Sequence, residues 1–193
     1  MNAIAHPWRE IRARYDDHTI TVYQAYRADI AEPAVAAGAF VAPFSFSRMT
    51  WIKPSFLWMM YRCGWATKPG QERVLAVQIT RDGFEEILRS ACLSHYEPNV
   101  HVDEASWRDE LSRTQARVQW DPERTMTGAP LPHRSLQLGI TGTLVERYAH
   151  EWITTITDIT ADLAGIRSGS TALPVEEPYP LSPTAAKRIG ASL

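Results

Sequence analysis

Residues 44–73, FSFSRMTWIKPSFLWMMYRCGWATKPGQER, decide our prediction of the fold. Within them, residues 56–61 form a run of large apolar side chains with no polar face, which indicates a helix buried on nearly all sides. Pro54 suits the first position of that helix because proline lacks the N–H that would be unpaired there, and Gly64 suits its left-handed C-terminal end. The stretch therefore predicts a buried apolar helix at about residues 54–63, against which a sheet packs.

The same stretch is cationic as well as aromatic. It carries three of the seven tryptophans and five basic residues against one acid, Glu72. No Asp or Glu occurs between Glu32 and Glu72, although the whole chain has a net charge of −2. The contrast predicts a cationic, aromatic-walled surface beside the core helix. The basic residues and tryptophans are Arg48, Lys53, Arg62, Lys68, Arg73, Trp51, Trp58 and Trp65.

Strand and helix patterns are interspersed on both sides of this stretch. β-Branched and aromatic residues predict strands at residues 19–26, 73–80, 116–120 and 134–140. Helices are predicted at residues 29–37, 82–91, 103–111 and 142–156, the first three with Asp29, Asp82 and Asp103 as N-caps. The irregular spacing favours an α+β domain, with a mixed or mainly antiparallel sheet that is either continuous or split, over a doubly wound fold.

The composition is that of one folded domain. A chain of 193 residues with 45% hydrophobic residues supports one core and is short for two. We expect residues 1–166 to form a single domain and the Pro/Ser-rich residues 167–193 to be an extended or mobile tail. The longest apolar run is far shorter than the ~20 residues of a membrane span. The start, MNAIAHPWRE, lacks a basic region followed by an apolar one, so we expect no secretory signal and a cytoplasmic protein without a membrane partner.

The sequence carries no recognisable metal or catalytic signature. His95, Glu97 and His101 lie near one another but match no zinc pattern, so we expect no metal. Cys63 and Cys92 match no metal-ligand or redox spacing, and we expect them to be reduced thiols in the core. No Ser-His-Asp order, GxSxG, Walker or GxGxxG pattern occurs.

The segment leading into the core helix, residues 48–55, is our predicted ligand site. Arg48 and Lys53 flank Trp51, so the two cations can pair with a phosphate while a base stacks on the indole. Ser55 precedes a helix N-terminus, which favours anions, and Thr50 belongs to the same segment. The alternative is that Arg48 and Lys53 are surface charges beside core aromatics.

Two later segments carry polar candidates. Gln137 alternates with Leu136 and Leu138, so it faces the opposite side of the sheet if the leucines face the core. Asp121 and Glu123 follow a predicted strand, and either one has the chemistry of a general base or of a ribose-hydroxyl acceptor. Because Asp121 is followed by a proline, an ordinary turn that ends the strand explains it equally well. We expect residues 123–132 to form a long loop.

Several motifs resemble one known family. They are RMTWIKPSFLWMMYR at 48–62, GWA at 64–66, QERVL at 71–75, IRA at 11–13, VYQAY at 22–26, ACLSH at 91–95, VQWDPER at 118–124, RS at 134–135 and EW at 151–152. Together they resemble the signature of the bacterial and fungal family called domain of unknown function 4291. The resemblance covers most of the chain to about Leu163, and the name of the family implies no activity.

The chain also resembles the ADP-ribosyltransferase fold, in which a first strand feeds a helix and a split sheet holds NAD in its cleft. In that superfamily a first-strand Arg or His, a second-strand Ser or Tyr and a late-strand Glu carry the reaction. This chain offers Gln24 or Tyr26 at the first place and Gln137 near the last, where no glutamate occurs. The resemblance implies NAD as cofactor, Gln24 as a residue that binds it, and Tyr26 and Gln137 as catalytic residues.

Two functional hypotheses follow from these observations. In the first, the protein is a nucleotide-binding enzyme, ADP-ribosyltransferase-like and NAD-dependent, and residues 48–55 hold the nucleotide or another phosphate-bearing small molecule. In the second, it is a non-enzymatic module that binds nucleic acid or a partner protein through the same surface. A third hypothesis, in which the long motif specifies packing alone, predicts that Arg48 and Lys53 lie far apart and that no concave pocket is present.

Overall fold

Two main sheets and the helices that connect their strands build the protein, whose computed structural model describes residues 6–192. The helices are α1 (Ala28–Ala37), α2 (Phe56–Cys63), α3 (Arg81–Ser90), α4 (Glu104–Arg113), α5 (Thr143–Arg147), α6 (Leu163–Ser168) and α7 (Pro183–Ile189). The strands are β1 (Arg12–Ala13), β2 (Thr19–Tyr26), β3 (Thr50–Ile52), β4 (Arg73–Thr80), β5 (Ala91–Leu93), β6 (Ala116–Arg124), β7 (Pro130–Ile140), β8 (Ile153–Asp158) and β9 (Glu177–Pro178). Within residues 6–192, no helix has the length and hydropathy of a transmembrane span.

The sheet is split, and it is mainly antiparallel. One sheet has the strand order β2-β4-β8, the other has the order β3-β7-β6-β5, and β1 pairs separately with β9. All of these pairs are antiparallel except β5 with β6. The two main sheets meet where the Tyr23 backbone N–H donates to the Lys53 carbonyl oxygen at 2.7 Å. The predicted α+β fold with a mainly antiparallel sheet is confirmed.

Helix α2 occupies the predicted place, with a small correction at its start. It begins at Phe56 rather than at Pro54, because the Ser55 side chain caps it by accepting from the Trp58 N–H at 3.1 Å. It ends at Gly64, whose φ of 61° is the left-handed conformation expected there. The helix is buried on most sides, but Tyr61 is 41% exposed, so one edge reaches the surface.

Two of the three predicted N-caps are wrong. Helix α1 begins one residue before Asp29 and has no side-chain cap, and α3 is capped by the Thr80 hydroxyl rather than by Asp82. In both helices the acid lies in the first turn, where it still complements the helix dipole. Asp103 caps α4 as predicted, accepting from the Ser106 N–H at 2.7 Å.

Strand β6 is longer than the sequence predicted. It continues through Asp121 and Pro122 to Arg124, and β7 begins at Pro130, so the predicted loop at 123–132 is a short hairpin turn. The ladder shifts register between Pro122 and Arg124, which accommodates the missing proline N–H. Asp121 therefore lies within a strand and not in a turn that ends it.

The predicted long helix at 142–156 is three elements. Helix α5 continues into a π-helix, Tyr148–Trp152, and the β-branched residues after it form β8. Leu144, Tyr148 and Trp152 are buried on one side, which explains the helical spacing in the sequence. Pairing of β8 with β4 then overrides the helical pattern at the C-terminal end.

The Pro/Ser-rich tail is ordered in part. Besides the short strand β9, it contains α7, which buries Ala185, Ala186 and Ile189. The indole N–H of Trp120 donates to the Ile189 carbonyl oxygen at 2.7 Å. The expectation of an extended or mobile segment is therefore corrected for α7, which packs against the body of the protein.

Candidate ligand-binding cleft

A cleft of about 870 Å³ is lined by residues of both main sheets and of α2. The structure brings seven of the eight predicted site residues to it: Gln24, Tyr26, Arg48, Thr50, Trp51, Lys53 and Gln137. Gln24 and Gln137 are more than a hundred residues apart in the sequence, so folding brings them to the segment 48–53. The hypothesis in which Arg48 and Lys53 lie far apart with no concave pocket does not describe this protein.

The pleat of the strands explains which side chains face the cleft. On β7, Leu136 and Leu138 lie in the hydrophobic core while Gln137 lines the cleft, as strand alternation requires. Gln137 lies opposite Gln119 in the antiparallel pair β6–β7, and Asp121 is two residues further along the same strand as Gln119. All three polar side chains therefore share the cleft face of this sheet.

Gln24 is held by other protein groups on both ends of its amide. The buried Tyr148 hydroxyl donates to Gln24 Oε1 at 2.6 Å, while Gln24 Nε2 donates to the Tyr26 hydroxyl at 2.7 Å and to the Trp51 carbonyl at 3.4 Å. Burial raises the pKa of both tyrosines, so both keep their proton. Gln24, predicted to bind a cofactor, is thus engaged in positioning Tyr26.

Lys53 is a buried cation in the cleft, only 5% exposed. Its Nζ donates to the Trp51 carbonyl oxygen at 3.3 Å, and no carboxylate of residues 6–192 forms an ion pair with it. Burial, together with the charge of Arg62, lowers the pKa of Lys53 to about 8 against the opposing effect of Asp121. The amine is therefore cationic at neutral pH but poorly neutralised.

Further groups give the cleft the character of an anion site. Arg48 and Arg62 line its exposed rim, and neither forms an ion pair within the described part of the chain. Trp58 also lines the cleft, and its buried indole N–H has no acceptor among residues 6–192. Asp121 is the one carboxylate among the described lining residues. Cationic side chains thus outnumber carboxylates among the described residues that line the cleft.

Asp121 is the site residue to which the sequence pattern gives too little weight. Its Oδ1 accepts from Gln119 Nε2 at 3.3 Å, and its Oδ2 accepts from Gln137 Nε2. Because a proline follows Asp121, the sequence favours a turn at this residue rather than a position within a strand. The useful signal is the spacing of Gln119 and Asp121, since residues two apart on a strand share a face.

Ser55, predicted to hold an anion, is not in the cleft. It is buried under its own helix as the cap of α2. The backbone N–H of Phe56, which has no partner within the helix, donates to Glu176 Oε1 of the C-terminal tail at 2.6 Å. Burial raises the pKa of Glu176 to about 8, and the nearby Glu123 adds to the rise. A carboxyl group of the protein therefore occupies the predicted anion site at this terminus.

Burial and contacts within the protein account for the two cysteines and for the cluster of Glu97 and His101. Cys63 and Cys92 are buried and unpaired, as predicted. The Glu97 side chain pairs with Arg9 at 2.5 Å, and Nδ1 of His101 lies 3.2 Å from the Glu97 carbonyl oxygen. In the part of the chain that the structure describes, no group of three His, Cys, Asp or Glu residues is arranged to hold a metal ion.

Comparison with known proteins identifies the family of this chain. No curated protein matches the chain. A family model with the description "Domain of unknown function (DUF4291)" matches residues 10–179, which include every residue that lines the cleft. This match spans most of the chain and confirms the resemblance in the motifs around the core helix. The chain is therefore a member of the DUF4291 family.

Proposed function

We propose that the cleft binds a nucleotide and that the protein is an enzyme that uses NAD to transfer an ADP-ribosyl group. The observation that carries the proposal is Lys53, a buried ammonium group with no ion-pair partner among residues 6–192. Burying an unpaired charge is costly, and a bound phosphate offsets that cost. Arg48 and Arg62 on the rim add two further cations for the same phosphates.

The remaining lining residues suit the rest of a nucleotide. The half-buried indole of Trp51 offers a stacking surface for a base. A volume of about 870 Å³ lies within the range of roughly 300–1,000 Å³ that is typical of small-molecule sites. A dinucleotide fits such a cleft in size and in charge.

The topology of the sheets supports the choice of NAD and of ADP-ribosyl transfer. A split sheet places Tyr26 of the first long strand and Gln137 of a late strand around one cleft, as the resemblance to ADP-ribosyltransferases implies. In the proposed reaction the bond between nicotinamide and the ribose C1′ breaks, and a bond from C1′ to an acceptor nucleophile forms. The acceptor loses its proton and nicotinamide leaves. Gln137 takes the place of the usual glutamate in this proposal.

Calorimetry with NAD, ADP-ribose, ATP and pyrophosphate tests the nucleotide site. We expect Lys53→Met to weaken binding by at least about tenfold, because it removes a buried charge that contacts the ligand. Lys187→Met changes an exposed lysine of α7 in the same way and is expected to leave binding unchanged. Absence of binding at millimolar ligand, or equal binding by the two variants, overturns the proposal. Binding of NAD without release of nicotinamide in the presence of any acceptor leaves the nucleotide site intact and overturns the transfer reaction.

A second candidate function is a non-enzymatic module that binds nucleic acid. The exposed ring of Tyr61 favours it, because Arg124 lies 3.8 Å from the ring centroid and Arg62 follows on the cleft rim. An aromatic and cationic surface of this kind suits stacked bases and phosphates. This candidate predicts oligonucleotide affinity that falls steeply with salt and no turnover of NAD. Salt-insensitive binding contradicts it.

A further inference from the structure

We infer that Asp121 forms a ribose subsite in the cleft, which accepts hydrogen bonds from two vicinal hydroxyls and selects ribonucleotides over deoxyribonucleotides. This inference rests on the proposed nucleotide site and names the part of the ligand that Asp121 contacts. It assigns a specificity-determining role to a residue outside the cationic segment 48–55.

The first support is the fixed orientation of the Asp121 carboxylate. One oxygen accepts from Gln119 of its own strand and the other from Gln137 of the neighbouring strand. Gln137 is buried, and strand pairing holds Gln119 opposite it. Two amides from adjacent strands thus fix the plane of the carboxylate, so its geometry does not depend on a ligand.

The second support is the acceptor capacity that remains. An ionised carboxylate offers about four lone-pair sites, of which the two amides use one on each oxygen. Asp121 is half-buried and lines the cleft, and its oxygens accept from no other side chain among residues 6–192, so the remaining sites are available to a ligand. One free acceptor on each of two adjacent oxygens matches two adjacent O–H donors, the arrangement found in a vicinal diol.

The third support is the charge of the surrounding cleft. Among the described lining residues Asp121 is the only acid, and it forms no ion pair with Lys53 or Arg62. A carboxylate repels phosphate, so Asp121 is unsuited to the phosphate end of a nucleotide. It suits the uncharged part that follows, and in a ribonucleotide that part is the ribose with its hydroxyl donors.

The fourth support is the placement of the rim cations relative to Asp121. Arg48 precedes β3 and Arg62 lies on α2, whereas Asp121 lies on β6, which β7 separates from β3 in the sheet. The rim cations and Asp121 are therefore held by different elements of the cleft. A ligand that contacts both carries a phosphate at one end and hydroxyl groups at the other.

Calorimetry with ADP, 2′-deoxy-ADP, 3′-deoxy-ADP and pyrophosphate tests the subsite. We expect the unmodified protein to bind ADP at least about tenfold more tightly than either deoxy compound, as the loss of a hydrogen bond to a charged group requires. Asp121→Asn is expected to reduce that ratio to within about twofold, while its affinity for pyrophosphate stays equal or rises because a repelling charge is gone. Asp17→Asn makes the same chemical change at an exposed site and is expected to keep the full ratio.

The outcomes separate this inference from the proposed function. Equal affinity of the unmodified protein for ADP and both deoxy compounds overturns the ribose subsite and leaves the nucleotide site intact. Binding of pyrophosphate without binding of ADP also overturns it. Failure of every one of these ligands to bind overturns the proposed function together with this inference. The comparison of ligands uses the unmodified protein, so a folding defect of Asp121→Asn does not affect it.

Discussion

Trp51 lies directly opposite Gly139 in the antiparallel pair of β3 and β7, and its indole covers the place where a side chain would stand. A Cβ on Gly139 would lie 2.9 Å from Cζ2 of Trp51 and 2.8 Å from the sulfur of Met49. The strand approaches the indole this closely because glycine has no side chain. The aromatic wall of the cleft therefore depends on a residue of the sheet behind it.

We expect Gly139→Ala to lower the free energy of unfolding by about 1–3 kcal/mol, because the new methyl group overpacks the contact with a rigid indole. The displaced Trp51 is also expected to weaken nucleotide binding. Chemical denaturation measures the first effect and calorimetry the second. In a Trp51→Leu background the same change is expected to cost less, and a cost that stays the same shows that the indole is not the group displaced.

Binding of an anionic nucleotide is expected to weaken as the pH rises through about 8, the pKa of Lys53. Below that pH the amine carries the charge that attracts phosphate, and above it the free protein loses this charge. Binding above pH 8 therefore takes up a proton, which calorimetry detects in buffers of different ionisation enthalpy. Lys53→Met is expected to show no weakening between about pH 7 and pH 9.5, and an equal pH dependence in both proteins contradicts the role of Lys53.

The elements with local signals were predictable from the sequence. Strands β2 and β4 have the predicted bounds because alternation and β-branched residues mark each one within its own segment. The end of α2 at Gly64 was predictable because a glycine in the left-handed conformation ends a helix without any contact to a distant residue. Strand β8 was not predictable in this way. Ile156 continues the helical spacing of the residues before it, so the β-branched residues 153–157 weaken the prediction of a helix, and pairing with β4 defines the strand.

The candidate site likewise contains features that the sequence predicted and features that it did not. Residues 48–53 were predictable because a cation–aromatic segment is contiguous in the sequence. The lack of an ion-pair partner for Lys53 among residues 6–192 and the two amides that hold Asp121 were not predictable. Both depend on strands that folding brings together. The predicted anion site at Ser55 differs from the structure for the same reason, because Glu176, which is 120 residues away in the chain, contacts the terminus of α2.

Glu176→Gln is expected to stabilise the protein more at pH 9 than at pH 5. The pKa of Glu176 rises from its ordinary 4.5 to about 8 in the folded chain, so its contribution to stability is complete below 4.5 and is lost as the pH rises through 8. Gln keeps an oxygen for the Phe56 N–H and never ionises. We expect the gain in unfolding free energy to be about 1–2 kcal/mol larger at pH 9.

Chemical denaturation at the two pH values measures that difference. Glu177→Gln changes the exposed neighbour in β9 and is expected to show little pH dependence. If the two variants respond alike to pH, the pKa of Glu176 is not raised by its surroundings in the fold.

Tyr148→Phe is expected to destabilise the protein by about 1–2 kcal/mol, because it leaves the Oε1 acceptor of Gln24 buried without its donor while the ring volume stays the same. Tyr15→Phe removes a more exposed hydroxyl that donates to the Pro178 carbonyl at 2.9 Å, and its cost is expected to be smaller. Since Gln24 in turn donates to Tyr26, loosening its amide releases the tyrosine from its position at the cleft wall. Nucleotide affinity should therefore fall in Tyr148→Phe, although Tyr148 lies outside the cleft, and should stay unchanged in Tyr15→Phe. Denaturation and calorimetry on the two variants measure both effects, and equal losses in the pair show that the link from Tyr148 to Gln24 does not position Tyr26.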